Sequence, residues 1–451
     1  MPSCMTESLS LARPAPGPKT LGVVNYGVGF VRDPFATLNE TTRRFGPIVR
    51  FELGGRCLHL IHEPKHVQHV LIDNNRNYEK STPFGILKLM FGRGLLFNEG
   101  ASWFAQRRLL QPSFQPRQFA ALSEGIADVI SSTVGDWPRV EGAETDIEEN
   151  MSHLTHKIIG QMLFGTELSP NLANVLESIG SKFTFFMGNL PRTPQNAAYR
   201  DLARRVDAEI YATIAQRRAA NAVNDDMLGI LMTARDKETG EGMSDTQLRD
   251  EIVTLLFSGF DTTSRTLSWV FHALAENPAI ETALHEETDR VLQGRAPRPS
   301  DLANLPYTQM VIKETMRLFP ANPIIGRSAK NDDEIDGHFI PGGSFITLSP
   351  YLVQRSPKFW ENPEVFDPYR FSPEREKQIE KFAYFPFGGG PRQCIGKGLA
   401  MTTLPLAIAT IAARYRFASV PGVEIKHDIK VTFQSRNGIR ATRHLRPAFG
   451  A

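Results

Sequence analysis

The chain has 451 residues, 41% of them apolar and 22% charged, with a net charge of +2, which is ample material for a large core. So near-neutral a balance gives no argument for a nucleic-acid partner, whose usual signature is a strongly basic chain. Three cysteines, Cys4, Cys57 and Cys394, are too few and too scattered for a disulfide framework or a zinc site, and they suit a reducing compartment.

Residues 1–20 carry Pro14, Pro16 and Pro18 and read as a proline-rich flexible N-terminus ahead of a single domain over residues 21–451. No apolar run there approaches the ~20 residues of a membrane helix, so the expectation is a soluble, cytoplasmic protein without an anchor. Ile48 to Phe51 and Cys57 to Ile61 flank Gly54-Gly55 and predict a β-hairpin. Helix begins at Glu63-Pro64. Phe84 and Leu87 fall in an apolar, glycine-interrupted stretch that forms either a pocket wall or a core-facing loop. Trp103 and Arg107 are four apart on one helix face, where both can reach the same anionic group.

From Ser123 to about Arg218 the pattern predicts successive helices, broken at Glu148-Glu149-Asn150 and at the prolines 191 and 194. Phe185 and Phe186 lie in a cluster too aromatic for one helix face, either a pocket roof or plain core. Ser244 and Gln247 have capping-box spacing, so a long helix starts there and runs to Asn277-Pro278, roughly 30 residues or about 45 Å. Its apolar stretch is interrupted by Ser258-Gly259-Phe260-Asp261-Thr262-Thr263, where glycine and hydroxyls predict a local distortion. Glu314 and Arg317 share a helix face. Pro320 and Pro323 force an extended path that makes Ile324 and Ile325 candidate pocket residues, followed by Arg327. Gly337 to Gly343 reads as strand and turn, with His338 a surface strand residue. Pro368-Tyr369-Arg370-Phe371 follows, Leu399 to Ala413 reads as an apolar helix, and Val431 to Phe433 begins a closing β segment.

Between these last elements stands Phe387-Gly388-Gly389-Gly390-Pro391-Arg392-Gln393-Cys394-Ile395-Gly396. A lone loop cysteine is ordinarily a small buried hydrophobe. A thiolate at the end of a glycine-rich loop is also a strong iron donor.

The decapeptide resembles the haem-binding loop of the cytochrome P450 family, F-x-x-G-x-R-x-C-x-G, at every defined position. The family's W-x-x-x-R element matches at Trp103 and Arg107. Its A-G-x-D/E-T-T element matches at 258–263, with Ser258 where alanine is usual. E-x-x-R matches at Glu314 and Arg317, and P-x-R-F at Arg370. The resemblance implies a mostly α fold with a smaller β-rich lobe near the amino terminus, and haem b between the long helix and the cysteine loop. It makes Cys394 the axial iron ligand, with Phe387 screening the sulfur and Gly396 leaving room for the flat cofactor. Trp103, Arg107, Arg327 and Arg392 become contacts to the haem carboxylates. Thr262 donates a hydrogen bond to dioxygen, and Asp261 relays protons. Glu314, Arg317 and Arg370 form a structural charge network, and Thr403 stands where relatives often have glutamate. Phe84, Leu87, Phe185, Phe186, Ser258, Ile324 and Ile325 line a pocket for a lipophilic substrate, whether fatty acid, terpenoid or polyketide-like.

The implied activity is monooxygenation by a monomer, with electrons from a separate ferredoxin or flavodoxin-type donor and its reductase. Arg108 and Lys397 are candidate contacts for that donor. A peroxide-driven peroxygenase or isomerase, which needs no donor, and a haem gas sensor are the other two readings of the same motifs.

Overall fold

In the computed structural model, which describes residues 12–80, 90–115, 119–175, 194–221 and 224–447, the proline-rich segment is tied down from its first described residues. Strand β1 (Arg13–Pro14) runs parallel to His338–Phe339. Ala15 is buried, and the Pro16 carbonyl accepts the Arg50 N–H at 2.8 Å. Residues 12–19 are therefore not the loose lead-in that the prolines suggested. β2 (Ile48–Leu53) and β3 (Arg56–Ile61) form the predicted antiparallel hairpin, with Val49 opposite Leu60. Gly54 and Gly55, at φ +59° and +74°, supply the left-handed pair that a two-residue turn of this twist requires. A short helix, Pro64–Gln68, starts on its proline and continues into one turn of π-helix, His69–Asp73, before β4 (Tyr78–Glu79).

The middle of the chain is helical. α1 (Gly100–Leu110) and α2 (Ala120–Gly135) are followed by β5 (Ala143–Asp146) and α3 (Ile147–Phe164). The predicted break at Glu148-Glu149-Asn150 is instead the first turn of α3. Asp146 caps that helix by accepting the Glu148 N–H at 2.9 Å, and the two glutamates sit where the helix dipole favours negative charge. α4 (Asp245–Glu276) is the expected long helix, 32 residues, with the Ser244 hydroxyl accepting the Gln247 N–H at its start.

α5 (Pro306–Leu318) leads into β6 (Ile325–Ala329), β7 (Asp333–Ile335), β8 (His338–Ile340) and β9 (Phe345–Leu348). His338 lies in a strand as expected. The cysteine loop enters α6 (Lys397–Ala412), which keeps Pro405 in its interior and buries Thr403. β10 (Tyr415–Ser419), β11 (His427–Ile429), β12 (Phe433–Ser435) and β13 (Arg440–Leu445) complete the order.

These elements fall into two compact units. The first comprises Met1–Thr82, Met316–Cys394 and Lys426–Ile429. It holds the five-stranded sheet β2-β3-β9-β6-β4 and the three-stranded sheet β1-β8-β7, over a core that includes Ile48, Ile61, Leu71, Ile346 and Phe385. The β-rich part thus draws as much on the carboxy-terminal half as on the amino terminus. The second unit, Pro83–Thr315, Ile395–Ile425 and Lys430–Ala451, holds most of the helices and the sheet β10-β13-β5. Among the described residues no helix is long and apolar enough to cross a membrane.

Candidate active site

In the first unit the cysteine loop is shaped by glycines with identifiable tasks. Gly388 and Gly390 both have φ of +69°, a region L side chains rarely adopt. A Cβ on Gly390 would lie 1.9 Å from the Leu71 carbonyl oxygen, and one on Gly389 would lie 2.5 Å from the Phe382 ring. A 3-10 turn, Gly390–Arg392, follows. The Gln393 N–H then donates to the Gly390 carbonyl and the Cys394 N–H to the Phe387 carbonyl, both at 3.0 Å. The result presents Cys394 at the loop's end, with Phe387 and Arg392 half-buried. Gly396 caps α6 at φ −82°, a conformation open to any residue, so the turn itself does not demand glycine there.

Arg327 lies in β6, buried, with its Nη1 donating to the Gly326 carbonyl at 2.8 Å. Ile324 and Ile325 are half-buried where β6 begins, and the Ile325 Cδ1 lies 3.9 Å from the point a Gly388 Cβ would occupy. Arg317 is fully buried and donates to three backbone carbonyls, those of Gln354 at 2.8 Å, Pro363 at 2.7 Å and Val365 at 3.2 Å. Arg370 shares the same segment through the Asn362 carbonyl at 2.8 Å. Glu314 is fully buried one turn earlier on the helix that carries Arg317.

In the second unit α4 is buried at every position from Leu248 to Leu274 except Ser258, Gly259, Thr262, Thr263, Arg265 and His272. The first four are spaced i, i+1, i+4, i+5 and therefore share one face, an open strip of small and hydroxylated residues. Three hydroxyls donate one turn back, Ser258 to the Thr254 carbonyl and Thr262 to the Ser258 carbonyl, both at 2.6 Å, and Thr266 to the Thr262 carbonyl at 2.8 Å. The strip does not interrupt α4, which runs as α-helix through it. Gly259 serves close packing instead, because a Cβ there would meet the Ile159 Cδ1 of α3 at 2.8 Å.

Asp261 is buried and held on both oxygens. Thr432 Oγ1 donates to its Oδ2 at 2.7 Å and Arg265 Nε to its Oδ1 at 3.3 Å. Arg265 continues to Glu148 at 3.1 Å, whose carboxylate accepts the Ser435 hydroxyl at 2.8 Å. Sequence reasoning did not find this chain. The i, i+4 spacing of Asp261 and Arg265 was readable, but Thr432 and Ser435 arrive from β-rich segments far along the chain.

On α1, Trp103 is buried and Arg107 half-buried, with Arg107 Nε donating to Gln111 at 2.7 Å. Between them Gln106 donates to Glu251 of α4, which also accepts the Leu95 N–H at 3.1 Å. Burial pushes the Glu251 carboxyl up to about 8. Arg108 is bound by Asp236 at 3.0 Å and by Glu238 at 2.6 Å, which removes it as a free cation for an electron donor. Phe84, Leu87, Phe185 and Phe186 lie outside the described residues.

The residues fit a haem. One exposed thiol stands on a loop shaped by glycine, guanidinium groups suited to carboxylates are present, and no His, Cys, Asp or Glu cluster among the described residues competes for a metal. The Cytochrome P450 family model matches residues 15–435.

The chain belongs to the cytochrome P450 family. This P450 is 35% identical over 393 residues to cyclooctatin synthase of Streptomyces melanosporofaciens, covering 84% of this chain and 85% of that protein. It is 33% identical to cyclooctat-9-en-7-ol 5-monooxygenase of the same organism, covering 84% of each. It is 29% identical to pentalenene oxygenase of Streptomyces avermitilis, covering 94% of this chain and 95% of that one. Among solved structures the haem domain of cytochrome P450DA superposes with a TM-score of 0.88 at 25% identity, over 97% of this chain and 98% of that one. This P450 is accordingly a haem-thiolate monooxygenase, an enzyme that takes an organic substrate, dioxygen and electrons from a redox partner.

Proposed function

We propose that this P450 hydroxylates or epoxidises a lipophilic alicyclic molecule, a terpenoid-like alkene or alkenol. Two similar proteins carry names that denote a cyclic alkenol and a cyclic alkene as substrates. The observation that carries the reading is the open strip Ser258, Gly259, Thr262 and Thr263 on an otherwise buried helix. The four residues of the strip carry no charge, and Arg265 beside them is paired with Asp261 and Glu148; such a strip admits an apolar substrate, and its hydroxyls supply the proton donors that dioxygen cleavage needs.

Haem b, bound through the Cys394 thiolate, supplies the oxygen-activating redox chemistry. Trp103, Arg107, Arg327 and Arg392 are assigned to its carboxylates, Phe387 to shielding the sulfur, and Gly396 to keeping the start of α6 clear. Thr262 Oγ1, once rotated away from the Ser258 carbonyl, is the atom that hands a proton to dioxygen. Asp261 resupplies it after leaving Thr432 or Arg265. Ser258, Ile324 and Ile325 touch the substrate. Glu314, Arg317 and Arg370 act structurally. Electrons arrive from a ferredoxin or flavodoxin-type donor with its reductase, Lys397 being an exposed cation at the start of α6.

The test is turnover by the reconstituted enzyme of pentalenene, cyclooctat-9-en-7-ol and a straight-chain fatty acid, with a ferredoxin and reductase and separately with peroxide alone. Oxygenation of a cyclic substrate with the redox chain is expected. Oxidation of the fatty acid alone would overturn the substrate class, and equal turnover with peroxide would overturn the electron-donor requirement.

A further inference from the structure

The Asp333 carboxylate lies outside every motif discussed above, yet it gathers four donors. On Oδ2 it takes His69 Nε2 at 2.8 Å, the Asn74 amide at 3.0 Å and the Tyr78 hydroxyl at 2.5 Å. On Oδ1 it takes the Glu334 N–H at 2.9 Å. His69 and Asn74 are not arbitrary partners. His69 is the first residue of the π-turn His69–Asp73 and Asn74 is the residue that closes it, its N–H donating to the His69 carbonyl at 2.9 Å. One carboxylate thus staples both ends of a single wide turn, a geometry that is uncommon and costly to hold without outside contacts.

The middle of that turn is where the cysteine loop rests. Leu71 is buried in the core of the first unit, and its carbonyl oxygen lies where Gly390 approaches so closely that no Cβ fits. Ile72 Cδ1 would lie 3.5 Å from such a Cβ, and Leu71 Cδ1 would lie 3.6 Å from one on Gly389. Gly390 in turn accepts the Gln393 N–H immediately before Cys394. Displacing the Leu71 carbonyl therefore displaces the support under the hydrogen bond next to the thiol.

We propose that Asp333 is a positioning residue for Cys394, acting through the stapled π-turn and the Leu71–Gly390 contact. The inference rests on the reading of Cys394 as the haem ligand only for its effect on ligation; the seating of the loop is independent of it. Asp333 touches no reacting group, so its role is to fix where the thiolate stands.

The experiment compares the holoenzyme with Asp333→Ala, Asp333→Asn and the control Asp336→Asn, which alters the neighbouring Lys65 and His66 contacts instead. Two readouts are taken, amide hydrogen exchange at Gln393 and Cys394, and the spectrum of the reduced protein with carbon monoxide. Asp333→Ala is expected to speed exchange at those two amides by about 10-fold or more and to move part of the absorbance from the thiolate-ligated band to the neutral-thiol position, at a temperature where helix content is unchanged. Asp333→Asn, which keeps an acceptor oxygen, recovers most of the effect, and Asp336→Asn shows none. Unchanged exchange at Gln393 and Cys394 in Asp333→Ala overturns the proposal, as does a rise of equal size throughout the chain. A parent enzyme that lacks the thiolate band would overturn Cys394 as ligand, and the exchange readout would still decide the role of Asp333.

Discussion

At the scale of single residues, three positions carry the sharpest expectations. Thr262 stands hydrogen-bonded to its own helix, so its catalytic use requires only a rotation about χ1. Thr262→Ala should leave oxygen consumption within about 3-fold while product formed per oxygen falls by roughly 10-fold or more, up to the ~100-fold at the low end of one proton-transfer contribution; parallel oxygen-electrode and product assays read the ratio. Gly390→Ala faces both a left-handed φ and a backbone oxygen that cannot move aside as a side-chain tip can. A loss on the order of 3 kcal/mol or more is expected, visible as a lowered denaturation midpoint.

Glu251 offers a pH signature. Its folded value is pushed from 4.5 up to about 8 by burial, so the folded state holds a proton that the unfolded state has released across that interval. Stability therefore declines as pH rises from about 4.5 to about 8 and levels off above. Such a difference in proton affinity between the two states makes the decline on the order of a few kcal/mol. Glu251→Gln should flatten this part of the stability profile, as melting temperature against pH would show. These residues were unequally legible in the sequence. Cys394 and Thr262 are announced by their neighbours, whereas Glu251 is one more acid in an apolar helix until Leu95 and Gln106 close over it.

At the scale of elements, the sequence located α4, its cap and its end because capping and proline signals are local. It misjudged the interior. Gly259 reads as a helix weakness, but in the structure the cost is offset by the close approach of α3. Gly259→Ala gains about 1 kcal/mol of helix propensity against a contact with the flexible tip of Ile159. The expected change in stability is within about 1 kcal/mol of zero, as a denaturant titration would show. The same limit explains the false break at Glu148: acids at a helix start and acids in a loop look alike until the Asp146 cap is seen. For α5, removal of the fully buried Arg317 cation leaves the buried Gln354 carbonyl and the part-buried Pro363 carbonyl without that donor, and Arg317→Met should cost roughly 3 kcal/mol. Haem content of the purified protein would fall with it.

At the scale of the whole molecule, the motif order in the sequence was sufficient to name the family, and with it the mostly helical fold. Which segments share a unit was not legible, because strand pairing between distant stretches leaves no local signal. The amino-terminal prolines illustrate this. They read as a loose lead, yet β1 and the Pro16 carbonyl join them to β8 and β2. Deleting Met1 to Lys19 should lower the melting temperature by several degrees, corresponding to roughly 1–3 kcal/mol, and should raise hydrogen exchange selectively in β2 and β8.

The pairing of β3 with β9, Leu58 opposite Phe345, also sets a clock for the nascent chain. Roughly 280 residues separate the two strands, and a ribosome adding about 5–20 residues per second needs some tens of seconds to bridge them. Throughout that time the β2–β3 hairpin exists with one ladder unfilled, a template for any passing strand. Yield of this enzyme in a host should therefore respond to translation speed and chaperone supply at least as strongly as to the stability of the finished fold.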